Sequence, residues 1–371
     1  MIPEIPKKII EAKQEDRLVI FIGAGISRLV GCQSWEELKQ NFILELFNSE
    51  EIDLDKRKVL EEMETLKAIS ICRTIIADNN ILLRKILEKA CNYKNSENDY
   101  YNEDTIYDII SRFEAFCITT NWDKYFDKNY GFYYNDRILY KLEHFSYREI
   151  RDYKRKLFHI HGSIRSIKSM VLTITDYIEL YKKQDVLDFI RNIFNENTVL
   201  FMGYGLKEME ILRSLTSSFS EDKQHFLLKG FTQSETTLRS LEEKFYEKMG
   251  IKLIGFDSTN GFKEIESFLK NWLSKLEIET SFIVENYETI ENIVREGQTE
   301  NFSELRIYMN QNLKYIKKVF QELAKVPNPI IWLEQLKQND LIGPNSQLLM
   351  RKNCPMVYHG YIRNLIAKEL E

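Results

Sequence analysis

With 371 residues the chain exceeds what one hydrophobic core usually serves, so two structural units are expected. Its 52 Lys and Arg against 57 Asp and Glu leave a net charge of −5, and no global positive field draws it onto nucleic acid or anionic lipid. At 43% apolar and 29% charged residues, with 14 Gly and 6 Pro, it falls outside the collagen-like, disordered and low-complexity classes. In chain order, Arg17 to Ile22 (RLVIFI) is a short, β-branched apolar run that stops at Gly23, the pattern of a strand buried on both faces of a parallel sheet. Similar runs follow at Ala115–Thr120, Lys156–Ile160, Thr198–Met202, His225–Leu228 and Ile251–Phe256. Helical stretches separate them: Glu36–Phe47 places Leu38, Phe42, Leu44 and Leu46 toward one side, and Leu54–Ala90 is long and charged. This alternation predicts a doubly wound α/β domain over residues 1–274, with a helical insertion at about 36–112.

Beyond residue 274 the spacing turns helical. Ile283, Tyr287, Ile290 and Val294 fall at steps of four, three and four before Gly297, and Met309, Leu313, Ile316, Phe320 and Leu323 repeat the pattern ahead of Pro327 and Pro329. Residues 275–371 therefore read as an α-helical region suited to oligomerisation or to docking a partner, or simply to packing on the main domain.

Four strand tips carry candidate chemistry. Gly23-Ala24-Gly25-Ile26-Ser27 runs straight out of the first strand; glycines there permit positive φ and let main-chain N–H groups approach a pyrophosphate. The third glycine of G-x-G-x-x-G is replaced by Arg28, and a plain strand-to-helix turn is the alternative. Thr119-Thr120-Asn121-Trp122-Asp123 ends the second apolar run. Ligands of open parallel sheets lie beyond the carboxyl ends of the strands, which puts Asn121 at the same crevice as Gly23, while Asp123 also suits a helix N-cap. In His159-Ile160-His161-Gly162, strand periodicity sets both histidines on one face, and His161, nearest the tip, is the better base. Gly203-Tyr204-Gly205-Leu206 ends a further strand, with Tyr204 offering a ring to stack on.

In order and context these segments resemble the sirtuin superfamily over roughly Leu18 to Phe256. GAGIS is similar to its phosphate-approach motif, TTNWD to its TQNID-type segment, HIHG to its catalytic His-Gly, and GYGL stands where a later Gly-Ser/Thr segment lies. The resemblance implies a Rossmann-like domain that uses NAD, with Asn121 and His161 catalytic. Gly23, Ala24, Gly25, Ser27 and Arg28 would then lie by the pyrophosphate, Gly203, Tyr204 and Gly205 at the adenosine end, and Asp123 behind them; an exposed ion pair is the alternative for Arg28. The zinc module of the deacylase branch needs two C-x-x-C pairs. Here Cys32, Cys72, Cys91, Cys117 and Cys354 are scattered, so no zinc is expected and a reducing compartment is implied.

Residues 28–35 depart from the G-I-P-x-F-R form of deacylases and look like the G-x-x-x-W-x-x-L pattern of bacterial sirtuin-like NADases of antiphage defence. That resemblance implies an NAD glycohydrolase, gated in the healthy cell, forming a homo-oligomer and acting beside a HerA-like hexameric ATPase. The alternatives are an NAD-dependent deacylase and a non-catalytic NAD- or ADP-ribose-binding subunit. MIPEIPKKII lacks a secretory pattern and no run of about 18 apolar residues occurs, so a cytoplasmic protein with no membrane contact is expected. The basic run Arg151–Lys156 reads as a solvated face, and direct nucleic-acid binding is not indicated.

Overall fold

The structure, a computed structural model, describes residues 3–92, 105–130, 138–140, 156–206, 209–217, 224–259 and 264–295, then 305, 318–320, 322–323, 325–326 and 330–338. It divides into two compact units, Met1–Leu273 and Ser274–Glu371. In the first unit α1 (Lys7–Gln14) precedes β1 (Leu18–Ile22), whose five residues are all buried. A single helical turn at Ala24–Ser27 follows, then the helices α2 (Trp35–Asn48), α3 (Leu54–Glu62), α4 (Thr65–Ile76), α5 (Asn80–Ala90) and α6 (Ile106–Ser111). The remaining strands are β2 (Phe116–Thr119), β3 (Ile138–Leu139), β4 (Leu157–His159), β5 (Thr198–Met202), β6 (His225–Phe231) and β7 (Ile251–Asp257). Helices α7 (Ile174–Tyr181) and α8 (Gln184–Glu196) lie between β4 and β5, α9 (Met209–Ser217) and α10 (Thr236–Glu247) flank β6, and α11 (Glu264–Arg295) follows β7.

These strands form one parallel sheet in the order β3-β4-β2-β1-β5-β6-β7. From β1 the chain builds outward to β2 and the β3/β4 pair, then returns to lay β5 on the free side of β1 and continues through β6 and β7. The β1/β5 boundary is therefore a topological switch point, where the connections on the two sides diverge and leave a crevice. The doubly wound Rossmann-like α/β fold expected from the alternating runs is the fold observed. β3 escapes notice in the sequence because two residues carry no periodicity.

One face of the sheet packs Phe21, Phe158 and Phe201 against Phe189, Ile193 and Phe194 of α8, with Phe158 and Phe189 edge to face at 5.1 Å. The inserted helices have their own core, in which Leu38, Phe42 and Leu46 of α2 meet Ile69 and Cys72 of α4 and Ile86 of α5. Leu44 is 41% exposed, contrary to expectation, because two residues along a helix turn the side chain about 200° from the buried stripe. The charged stretch 54–90 resolves into three helices because Asp53, Glu64 and Asn79 each accept a main-chain N–H at a helix start. A Ser34/Glu37 capping box opens α2.

In the second unit Ile290, Val294, Phe320 and Leu323 of the two predicted stripes are buried; the side chains of Ile283 and Tyr287, and Met309, Leu313, Ile316, Gly297, Pro327 and Pro329, lie outside the described residues. Buried Glu322 is held by Lys318 at 2.8 Å and Lys325 at 2.7 Å, and a last helix, α12, spans Ile330–Gln338. Arg151 to Arg155 of the basic run and Cys354 also lie outside the described residues. Among the described residues no helix is long and apolar enough to cross a membrane.

Candidate active site at the tips of β1, β2 and β5

Strand register sets the site. Ile22 pairs with Thr119 on one side and Met202 on the other, so Gly23, Thr120 and Gly203 come next at one edge of the sheet. There the two glycine-bearing turns interlock: Gly23 N–H donates to the Met202 carbonyl at 2.9 Å and Gly25 N–H to that of Gly203 at 2.8 Å. A Cβ on Gly23 would lie 2.6 Å from the Gly203 oxygen, and one on Gly203 2.5 Å from the Ile26 nitrogen. Only Gly203, at φ +61°, occupies the left-handed region; Gly23 and Gly25 are glycines because two backbones touch, not because φ is positive. Their N–H groups are consumed in that contact, and the Ile26 N–H donates to the Gly23 carbonyl at 3.1 Å. Ala24 is the first residue of the helical turn, with Gly23 preceding it in extended conformation.

Asn121 lies beside this contact, buried, just past the end of β2. Its side chain donates to the Gly23 carbonyl at 3.0 Å and to the Tyr107 hydroxyl at 3.3 Å. A carbonyl only accepts, so the atom facing Gly23 is Nδ2, and Oδ1 is left without a protein partner among the described residues. Behind it, Ser27 donates to Asp123 Oδ2 at 2.5 Å and Tyr107, fully buried, touches both Ser27 (3.1 Å) and Asp123 (3.4 Å). Asp123 Oδ1 accepts from the Tyr125 N–H at 3.1 Å, so this residue caps a turn rather than a helix. Burial raises its pKa above the ordinary carboxylate range against the opposing pull of the Ser27 hydrogen bond and of His159. Tyr107, on α6, carried no motif in the sequence.

The two histidines of HIHG part company. β4 ends at His159, so the alternation that would put His161 on the same face ends with it. His159 Nδ1 donates to the Asn121 main-chain carbonyl at 2.7 Å and its Nε2 meets Asp127 Oδ1 at 3.0 Å; Arg165 Nε bonds the other Asp127 oxygen. Burial alone would lower the His159 pKa, but Asp127, the Asn121 carbonyl and Asp123 carry it above the ordinary histidine range. Burial likewise works against the Asp127 charge, and His159 and Arg165 prevail to hold its carboxyl below the usual range. His161 instead enters an aromatic pocket on α7, its Nε2 3.0 Å from the Tyr181 hydroxyl and its ring edge-on to Tyr177 at 5.1 Å. Asp127, Arg165 and Tyr181 are partners that sequence reasoning missed, and nothing in the sequence marks them; His159 is visible in HIHG, but its bond to the Asn121 carbonyl is not.

The remaining predicted residues are more peripheral. The Tyr204 ring packs inward on Phe21 at 4.8 Å and Phe201 at 6.0 Å, away from the stacking role expected of it, while Gly205 is exposed. Arg28 pairs with Glu37 at 2.7 Å, both half-exposed, which is the ion pair that stood as its alternative. Among the described residues no group of three or more His, Cys, Asp or Glu is placed to hold a metal ion.

Residues 115–254 match the model of the SIR2-like domain. The matched span runs from β2 into β7 and includes Asn121, Asp123, His159, His161 and Gly203; the Gly23 turn precedes it. Defense-associated sirtuin 2 of Bacillus subtilis is 23% identical over 326 residues, which cover 84% of this chain and 30% of that relative. The chain thus spans less than a third of the length of the curated relative it matches.

Proposed function

We propose that this chain is an NAD glycohydrolase that cleaves NAD to nicotinamide and ADP-ribose and serves antiphage defence by depleting NAD. One observation carries the reading: Asn121, buried past the tip of β2 beside the Gly23 turn, has Nδ2 fixed on the Gly23 carbonyl and Oδ1 without a protein partner among the described residues. Breaking the nicotinamide–ribose bond builds positive charge at the sugar carbon, so the site must orient the ribose and a water against a group of matching polarity. A carbonyl oxygen held by a buried network suits that task. His161, steadied by Tyr181, serves as base through water or a ribose hydroxyl, and the turn from Gly23 to Ser27 receives the pyrophosphate, with the glycines giving shape. The SIR2-like match and the name of the Bacillus relative support the substrate and the defence role.

We assign gating to a homo-oligomer and a HerA-like ATPase partner engaged through the helical second unit. The test is release of nicotinamide and ADP-ribose from NAD by the purified protein, alone and with the ATPase, with and without an acyl-lysine peptide. Equal release with and without peptide is expected. Release that requires the peptide would establish a deacylase instead, and NAD binding with no release under any condition would leave a non-catalytic binding subunit.

A further inference from the structure

Besides the Tyr107 hydroxyl, three groups hold Asn121. Its main-chain N–H donates to Thr119 Oγ1 at 3.0 Å, its side-chain Nδ2 to the Gly23 carbonyl at 3.0 Å, and its main-chain carbonyl accepts His159 Nδ1–H at 2.7 Å. The first two use residues of the strands that form the crevice. The third depends on a separate device: an imidazole 1% exposed, clamped from behind by an aspartate 2% exposed, which Arg165 closes off. A buried carboxylate and a buried imidazole taken out of water cost free energy that their mutual hydrogen bond must offset, and an apolar trio would fill this place at no such cost. What an apolar trio cannot do is hold one peptide oxygen in one direction.

We propose that His159 is a positioning residue for the reaction: by fixing the Asn121 carbonyl it sets the peptide plane that aims Asn121 Oδ1 into the crevice, with Asp127 and Arg165 fixing His159 in turn. The inference rests on the glycohydrolase reading for its kinetic readout. His159 touches only protein, and its effect passes through Asn121.

Two amide replacements separate this role from simple core support. His159→Asn sets an amide near the place of Nδ1 and keeps a donor for Asn121 while giving up Asp127; His159→Gln reaches the place of Nε2 and does the reverse. For positioning, His159→Asn keeps kcat within a few-fold of the unaltered protein while His159→Gln loses on the order of 10²-fold, the cost of a misplacement of about 1 Å, with KM for NAD little changed. Core support predicts the opposite order, with His159→Gln the milder change, and that order or equal losses would overturn the proposal.

A second readout is independent of turnover: amide hydrogen exchange across residues 119–124 stays slow in His159→Asn and accelerates in His159→Gln. An unaltered protein that neither binds nor cleaves NAD would refute the glycohydrolase reading, and the exchange comparison would still decide whether His159 holds Asn121. Should neither His159 variant fold, Arg165→Gln substitutes a side chain that is one-third exposed. It is expected to lower kcat several-fold and speed exchange in the same segment; unchanged values for both would overturn the proposal.

Discussion

Two regions fix the geometry of the crevice, and they do so by opposite means. At the tips of β1 and β5 precision comes from side chains that are absent: Gly23, Gly25 and Gly203 let two backbones meet so closely that a single Cβ has no room. At the tips of β2 and β4 it comes from buried polar side chains, Asn121, His159 and Asp127, each satisfied by the next and closed by Arg165. The first region is insensitive to pH and intolerant of any added atom; the second tolerates shape changes better than changes of charge. A site built from both keeps its floor rigid while the support behind Asn121 responds to protonation.

Substitutions separate the two regions. The largest effect is expected from Asp127→Ala, which leaves the buried His159 ring and the Arg165 guanidinium without their shared partner: about 3–5 kcal/mol of unfolding free energy lost by denaturant titration, as for other buried pairs deprived of one partner. Next comes Gly203→Ala, which combines φ +61° with a Cβ 2.5 Å from the Ile26 nitrogen; a loss of roughly 2–4 kcal/mol is expected, with no pH dependence beyond that of the unaltered protein.

The pH profile distinguishes them further. His159 is raised, so its contribution is complete below the ordinary histidine value of about 6.5 and fades as pH climbs through its folded-state value. Asp127 is lowered, so its contribution is present above about 3.9 and fades as pH falls through its own. The deficit of Asp127→Ala is therefore widest between about pH 4 and 6.5 and narrows on both sides, whereas that of Gly203→Ala stays level. A level profile for both would mean the network carries no charge.

The smallest effect belongs to Asp123→Asn. The raised pKa of Asp123 means its charge opposes folding once pH rises above about 3.9, so the neutral amide, with hydroxyls of Ser27 and Tyr107 able to accept from it, should match or exceed the original by up to about 1 kcal/mol at pH 7 and lose that advantage in acid. Melting curves at pH 4 and 7 measure the difference.

Much of the framework was legible because it rests on local signals. Six apolar runs ending in glycine or polar residues mark β1, β2 and β4 to β7, and the strand-tip rule brings Gly23, Asn121 and Gly203 to one edge before any coordinates are known. The support behind Asn121 was not legible. Tyr107 reaches it from a helix 14 residues upstream, and Asp127 and Arg165 meet across 38 residues, separations at which no periodicity speaks. The divergence of His159 and His161 was hidden for a related reason: alternation holds only while the strand lasts, and β4 stops between them. Tyr204 shows the same limit from the other side, since the ring that looked available beside two glycines turns into the core against Phe21 and Phe201.

The central claim is that Asn121 carries NAD cleavage at this crevice. The most direct measurement compares kcat for NAD hydrolysis by the unaltered protein and by Asn121→Ala under conditions in which the former turns over, with NAD affinity and melting temperature measured on both. The expected result is a loss of about 10²-fold or more in kcat with NAD still bound and the fold intact. Hydrolysis by Asn121→Ala within a few-fold of the unaltered protein would place the chemistry elsewhere.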